Sequence, residues 1–286
     1  MSVTFNEKLG NVPDEVKVYD LSKLDASDSS LIAYAKSIGF SGKSKGYDSD
    51  DALNSYTEDQ QRVQIYKQSG AFEYRDLEKY GVEKNGSNKK WDISDDRSQE
   101  IAKQFLRKLN IVDESELVFE KVTHLMGATQ SIDSDEIEEY IIDSGVIFSR
   151  TIDSLGVIGP GGNCMVNIDI NGDVVGFSHL MRPTKSVIDT VKIIPPESVL
   201  GDIEKKLKEM QGEIVVTKSS FGYFELGKGD LQTKLQPVYS FIYEIRNDGI
   251  DKKFAAVIPA GTETYEPLEF KKRFASEQLT RDQNKK

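Results

Sequence analysis

Only one cysteine, Cys164, occurs in 286 residues, so the chain can form no internal disulfide and no cysteine-built zinc site. There are two histidines, His124 and His179, and neither belongs to a helical i, i+4 pair or an HExxH pattern, so the commonest zinc-hydrolase signature is missing. Apolar runs are short. None approaches the roughly 18 residues that cross a bilayer, and residues 254–258 show the typical strand length. The start, MSVTFNEKLG, has no basic segment followed by an apolar block, hence no secretory signal as written. Two compartments remain as expectations: the cytoplasm, or an extracytoplasmic location if a leader precedes Met1.

Positive charge is also scarce. Lys and Arg number 37 against 48 Asp and Glu, a net charge of −11 that disfavours nucleic acid, whose phosphates need a basic surface. From Phe270 onward the balance reverses, with Lys271, Lys272, Arg273, Arg281, Lys285 and Lys286 against Glu277 and Asp282. This basic tail, residues 263–286, reads as a solvated terminus, with contact to an acidic partner or an anionic membrane as the sharper alternative. The 37% apolar fraction is that of a soluble globular chain long enough to bury a real core.

Residues 140–183 are the most informative stretch, reading as strand, turn, strand, glycine-rich bend, strand, Asn171-Gly172 turn, strand. Asn-Gly between alternating apolar runs is the strongest short hairpin signal, because both turn positions accept positive φ. Elsewhere the order is looser. Alternation over 16–21 suits a strand, and Ser27 or Asp28 can cap a helix over 29–38 that Gly39 stops. Residues 60–67 and 71–76 read as a hairpin. Ser94 caps the clearest helix, with Asp95 and Asp96 in its first turn, Arg107 and Lys108 in its last, and Ile101, Ala102, Phe105, Leu106 and Leu109 as its stripe. Residues 117–123 alternate as a strand. A third pass runs from the strand 191–194 through a helix over 197–210 to strands at 213–217, 221–226, 238–246 and 253–258. Strand, helix and hairpin-joined strands, met three times, predict an α+β protein of tandem modules, each with one helix packed on an antiparallel sheet. The predicted units are an N-terminal module (1–80), a central module (94–183), a C-terminal module (189–262) and the tail.

Motifs that could carry chemistry mostly have a structural reading. Residues 167–173, NIDINGD, place oxygen side chains at alternate positions like a calcium loop, but the twelfth position is Ser178 rather than a bidentate glutamate. The run Gly159, Pro160, Gly161, Gly162 has no Lys-Ser/Thr ending and no following helix, so it reads as a bend rather than a phosphate cradle. Cys164 with either histidine is the only conceivable thiol dyad. Acidic pairs such as Glu138-Glu139 read as a solvated face. In the last module, Tyr239, Phe241 and Tyr243 share one strand face, with Tyr223 and Phe224 nearby. Such a stripe is core if the sheet is covered and a partner-binding surface if that face is open.

Residues 146–153 (VIFSRTID), 157–159 (VIG), 165–169 and 172–176 resemble the framework run of propeptide-type modules, the PepSY and related domains found ahead of thermolysin-like metalloproteases and in bacterial extracytoplasmic regulators. The run 235–241 (LQPVYSF), followed by 254–260 (FAAVIPA), is similar to the close of bacterial and archaeal proteins built from such modules. The resemblance covers roughly residues 94–260 and consists of structural residues. It implies a non-catalytic role, binding and restraining a protease or sensor outside the cytoplasm, and transfers no catalytic residue.

The expectation is therefore a non-enzymatic, inhibitor-like or regulatory protein that binds another protein, with no catalytic, cofactor or metal residues and with Tyr239, Phe241 and Tyr243 as candidate partner contacts. The alternatives are an enzyme with a site at the 159–164 bend using Cys164 or His179, and a structural surface protein.

Overall fold

Alternating sequence dominates this chain, and the computed structural model turns nearly all of it into strands. It describes residues 3–6, 9–39, 47–48, 54–58, 60–81, 90–109, 114–130, 137–208, 213–247 and 250–268. Along the chain these form β1 (Val3–Phe5), β2 (Glu15–Leu21), α1 (Asp28–Ile38), β3 (Tyr47–Asp48), β4 (Asn54–Glu58), β5 (Gln61–Ile65), β6 (Phe72–Asp76) and α2 (Asp95–Leu109). There follow β7 (Leu117–Gln130), β8 (Ile137–Ile152), β9 (Leu155–Ile158), β10 (Asn163–Asp169), β11 (Val174–Leu180), β12 (Thr184–Lys192), α3 (Pro196–Lys208), β13 (Glu213–Phe224), β14 (Lys234–Leu235), β15 (Pro237–Asn247) and β16 (Ile250–Pro259).

The helices stand where their caps put them. Ser27 Oγ accepts the Ser30 amide at the start of α1, and Gly39, at φ 111°, ends it by donating to the carbonyls of Ala35 and Lys36. Ser94 Oγ accepts the Arg97 amide at 3.2 Å ahead of α2. Leu31 and Ala35 of α1 and Ala102, Leu106 and Leu109 of α2 are buried, whereas Ile32 of α1 is exposed.

The tandem α+β plan is overturned. Strands run in the order β16-β15-β13-β9-β8-β10-β11-β6-β5-β4-β3 as one mixed sheet, with β1 added to β13 and β7 to β8; β12-β2-β14 form a small second sheet. Two pairings are parallel, β1 with β13 and β9 with β13. The segments assigned to separate modules interleave: β6 pairs with β11, and β2 pairs with both β12 and β14. The architecture is predominantly β, so neither the tandem-module plan nor the PepSY-like arrangement it was matched to describes this molecule. The reason is physical. Periodicity reports which residues face inward, but strand partners are chosen by burial between segments far apart in sequence.

One transverse row shows that choice. Val63, Tyr74, Phe177, Val166 and Val146 face one another in register across five strands, and Val122 of β7 continues the row. The first five are at most 4% exposed. They pack with α1, α2, Phe72, Phe148, Cys164 and Ile168 in one core. Full burial of such side chains contributes roughly 1.5–3 kcal/mol each, so slipping a strand by one residue would forfeit the row. A second core places Val199, Ile203 and Leu207 of α3 against Ile214, Val216, Tyr223, Tyr239 and Phe241, with Val16, Val18 and Leu21 of β2.

Three local features of residues 140–183 differ from expectation. Residues 143–144, where the turn between the first two strands was expected, make no turn, and β8 runs unbroken for 16 residues. A Cβ on Gly145 would lie 3.0 Å from Thr123 Oγ1 and 3.2 Å from Met165 Sδ, so a side chain there would push those two neighbours aside by a few tenths of an ångström. The reversal comes later, at Asp153 and Ser154, whose φ values of 49° and 66° close a two-residue hairpin into β9 without glycine. Between β10 and β11 only Gly172 has positive φ. Its amide donates to the Asp169 carbonyl, and the Asp169 amide to the Asp173 carbonyl, making a three-residue loop rather than the two-residue Asn-Gly turn.

Candidate functional site

Register brings together what the sequence left apart. Cys164 of β10 faces His179 of β11 directly, and both are buried. Burial pushes the Cys164 thiol up to about 12. Burial, aided by the charge of Arg150, pulls His179 down to about 4. At neutral pH the pair is thus a thiol beside a neutral imidazole, packed in the core with the His179 ring stacked on Phe177. An activated cysteine needs the reverse, a lowered thiol pKa and a route to solvent. His124 lies elsewhere, on β7, with Nε2 3.3 Å from Asp95 Oδ1 and its ring edge-on to Trp91.

The 159–162 bend is stitched to its surroundings. The Gly161 amide donates to the Glu225 carbonyl at 3.0 Å and the Gly162 amide to the Leu180 carbonyl at 2.8 Å. Amides already bonded to carbonyls are not free to cradle an anion. The bend lies so close to residues 224–226 that a Cβ on Gly161 would fall 2.5 Å from the Leu226 carbonyl oxygen. The calcium-like loop is likewise internally satisfied, since Asp169 Oδ1 accepts the amides of Asn171 and Asp173. Among the described residues no three His, Cys, Asp or Glu side chains converge.

Beneath the bend sits a pair that sequence reasoning did not single out. Arg182 and Glu225 have no exposed side-chain surface and bond to each other. Arg182 also donates to the carbonyls of Leu226, Gly227 and Asp230, while Arg150 donates to the Arg182 carbonyl and bonds Glu116. Burial pushes Glu225 up and pulls Arg182 down. The pair ties the segment after β11 to the loop after β13.

The aromatic stripe is interior. Tyr239 and Phe241 are 0% and Tyr243 7% exposed, packed in the core under α3, with Tyr239 Oη donating to the Ile194 carbonyl. These three side chains therefore offer no open face to a partner, although Phe254 of β16, stacked on Tyr243, is 41% exposed.

Four of the eleven large exposed apolar side chains among the described residues lie instead on β7. Val118, Phe119, Leu125 and Met126 are 40–50% exposed. This strand is 14 residues long, and among the described residues it pairs only with β8, leaving its other edge without a strand. β10 accompanies β8 only as far as Asp143. Beyond that point residues 126–130 and 137–141, among the described residues, pair only with each other, forming a two-stranded arm past the main sheet. Tyr140 lies over Gly127, its ring carbons 2.6 Å from where a Cβ would stand. An aromatic covering a cross-strand glycine pins the register of such an arm. The only prior sign of this edge was alternation over 117–123, which does not show that the strand lacks a second neighbour.

Comparison with known proteins adds the fold and no function. Neither protein-family models nor curated proteins match the chain. Among solved structures it is similar to an uncharacterized protein from Eubacterium rectale ATCC 33656, with a TM-score of 0.54 and 14% identity over 93% of this chain and 91% of that one. At that identity the likeness is one of overall fold.

Proposed function

We propose that the protein is a non-enzymatic binding protein that takes up an extended polypeptide segment along the free edge of β7. The observation that carries this reading is the combination of a 14-residue strand paired on one side only with four exposed apolar side chains along it. Natural edges are normally short, strongly charged or covered, because an open row of N–H and C=O groups templates another strand. Here the edge is long, and Lys121 is its only lysine or arginine. In strand addition the main chain supplies affinity and alternate side chains supply specificity. A regulatory role fits this mode, since a captured strand is withheld from its own protein. The quiet chemistry of Cys164 and His179 supports binding over catalysis.

The test uses a photo-cross-linking residue in place of Leu125, with Leu231, 57% exposed and in the loop between β13 and β14, as the control position. Irradiation of the full chain in its native host should yield discrete polypeptide adducts at position 125 and none shared with position 231. Identical adduct patterns at the two positions, or none at 125, would remove the proposal.

A further inference from the structure

We infer that the strand taken up by the β7 edge is β7 of a second copy of this chain, antiparallel and centred on Val122. This rests on the strand-addition reading above and names its occupant. Two identical strands joined edge to edge about a two-fold axis form an isologous contact, in which facing side chains lie on the same side of the sheet. Because side chains alternate between faces, the axis must pass through a residue that meets its own copy.

The sequence of β7 then restricts the register. An axis at Glu120 opposes two carboxylates, and one at Lys121 opposes two ammonium groups. At Thr123 the axis sets Lys121 against Leu125 and Val122 against His124. At His124 it opposes two imidazoles and leaves Val118 facing a polar residue near the strand's far end. Centred on Val122, the strands place Val122 against Val122 and Lys121 against Thr123.

The bulge in β7 improves this register. Phe119 faces Phe148 of β8 and Lys121 faces Ile147, so Glu120 is an extra residue. Beyond it, Phe119 and Glu120 together meet His124 of the copy, Val118 meets Leu125, and Leu117 meets Met126. The faces agree: Val118 and Leu125 oppose Ser149 and Asp143 of β8, six residues apart and therefore on one face, whereas Phe119, Val122 and His124 oppose Phe148, Val146 and Ser144 on the other. All four exposed apolar side chains thus gain apolar or aromatic neighbours, Glu120 approaches an imidazole, and no like charges meet.

Cysteine pairing tests the register, because Cys164, the one native thiol, is buried. A residue on the axis faces itself at a Cα separation of about 4.5–5.5 Å, within disulfide range. Val122→Cys is therefore expected to give a disulfide dimer under mild oxidation. Val118→Cys and Leu125→Cys should each form no intermolecular disulfide alone and should cross-link when mixed. Sedimentation of the unmodified chain should show a concentration-dependent monomer–dimer equilibrium, and Val122→Arg, which sets two guanidinium groups on the axis, should weaken it at least tenfold. The inference is overturned if Val122→Cys does not cross-link, if Val118→Cys links to itself as readily, or if Val122→Arg leaves the dimer intact. Should those results come with a different protein captured at position 125, strand addition stands and only the occupant is wrong. If position 125 captures nothing either, both readings fall.

Discussion

Arg182 and Glu225 meet with neither side chain reaching solvent, Nη1 standing 3.2 Å from Oε1. Glu225 Oε1 also accepts the Arg182 amide at 2.9 Å, so one carboxylate oxygen holds both the backbone and the side chain of the same arginine. Deleting one partner of a buried ion pair leaves the other charged and unmet, which costs about 3–5 kcal/mol. Arg182→Met is expected to lower unfolding free energy by that much, since it also strands the carbonyls of Leu226, Gly227 and Asp230. The double variant Arg182→Met/Glu225→Leu should recover part of the loss, because no buried charge remains. Urea unfolding of the three proteins measures this; a double variant less stable than Arg182→Met would show that the Glu225 carboxylate's hold on the residue-182 amide outweighs the cost of its unpaired charge.

The thiol of Cys164 offers a direct check on the interior. With its pKa pushed up to about 12 by burial, it is ionised to roughly one part in ten thousand at pH 8. Ellman's reagent at pH 8 should leave the folded protein unlabelled over an hour and react at once in 6 M guanidinium. Stoichiometric labelling of the native state within minutes would mean that the strand β10 opens readily, and would revive the thiol as a chemical group.

His179 predicts the acid limb of stability. Its folded pKa is pulled down to about 4 from the ordinary 6.5, so between these values the unfolded chain binds a proton that the folded chain refuses. Stability contributed by the neutral imidazole is complete above pH 6.5, falls as pH drops toward 4, and levels off below. The shift corresponds to about 3 kcal/mol. In His179→Gln that part of the pH dependence should vanish, leaving only the carboxylate limb at lower pH. Parallel stability–pH curves for the two proteins between pH 4 and 6.5 would refute the assignment.

How far the sequence disclosed this molecule depends on the range of the interaction. Features set within a few residues were legible: the Ser27 and Gly39 caps, the Ser94 cap of α2, the glycine bend, and the structural reading of the calcium-like loop. Features set by distant partners were not. Nothing local indicates that Tyr74 and Val166 flank Phe177, or that β1 joins β13 in parallel. Asp153-Ser154 escaped notice because neither residue announces positive φ as glycine does. Arg182 was invisible for another reason. A lone arginine after a strand reads as surface, and only the packing of the 224–230 loop makes it interior. The β7 edge was missed because being at an edge is a property of the whole sheet.

The arm that extends β7 and β8 provides the last test, and it turns on Gly127 and Tyr140. A two-stranded ribbon is marginal in water unless side chains pack across it. Here the Tyr140 ring occupies the space a side chain at 127 would need, with contacts of 2.6 Å to a built Cβ. Gly127→Val must displace that ring, and Tyr140→Ala removes it. A cross-strand pair of this kind is worth about 0.2–1 kcal/mol, so either change should speed amide exchange severalfold at residues 126–130 and 137–141. Exchange in β10 and β11, buried in the main sheet, should not change. The combination Gly127→Val/Tyr140→Ala should cost less than the sum of the single changes, since the added isopropyl group then fills the space the ring has left. Site-resolved hydrogen exchange separates these outcomes. Uniform acceleration across the whole chain would mean that the arm is part of the global core, whereas unchanged exchange at 126–130 in both single variants would mean that Tyr140 does not hold the register at all.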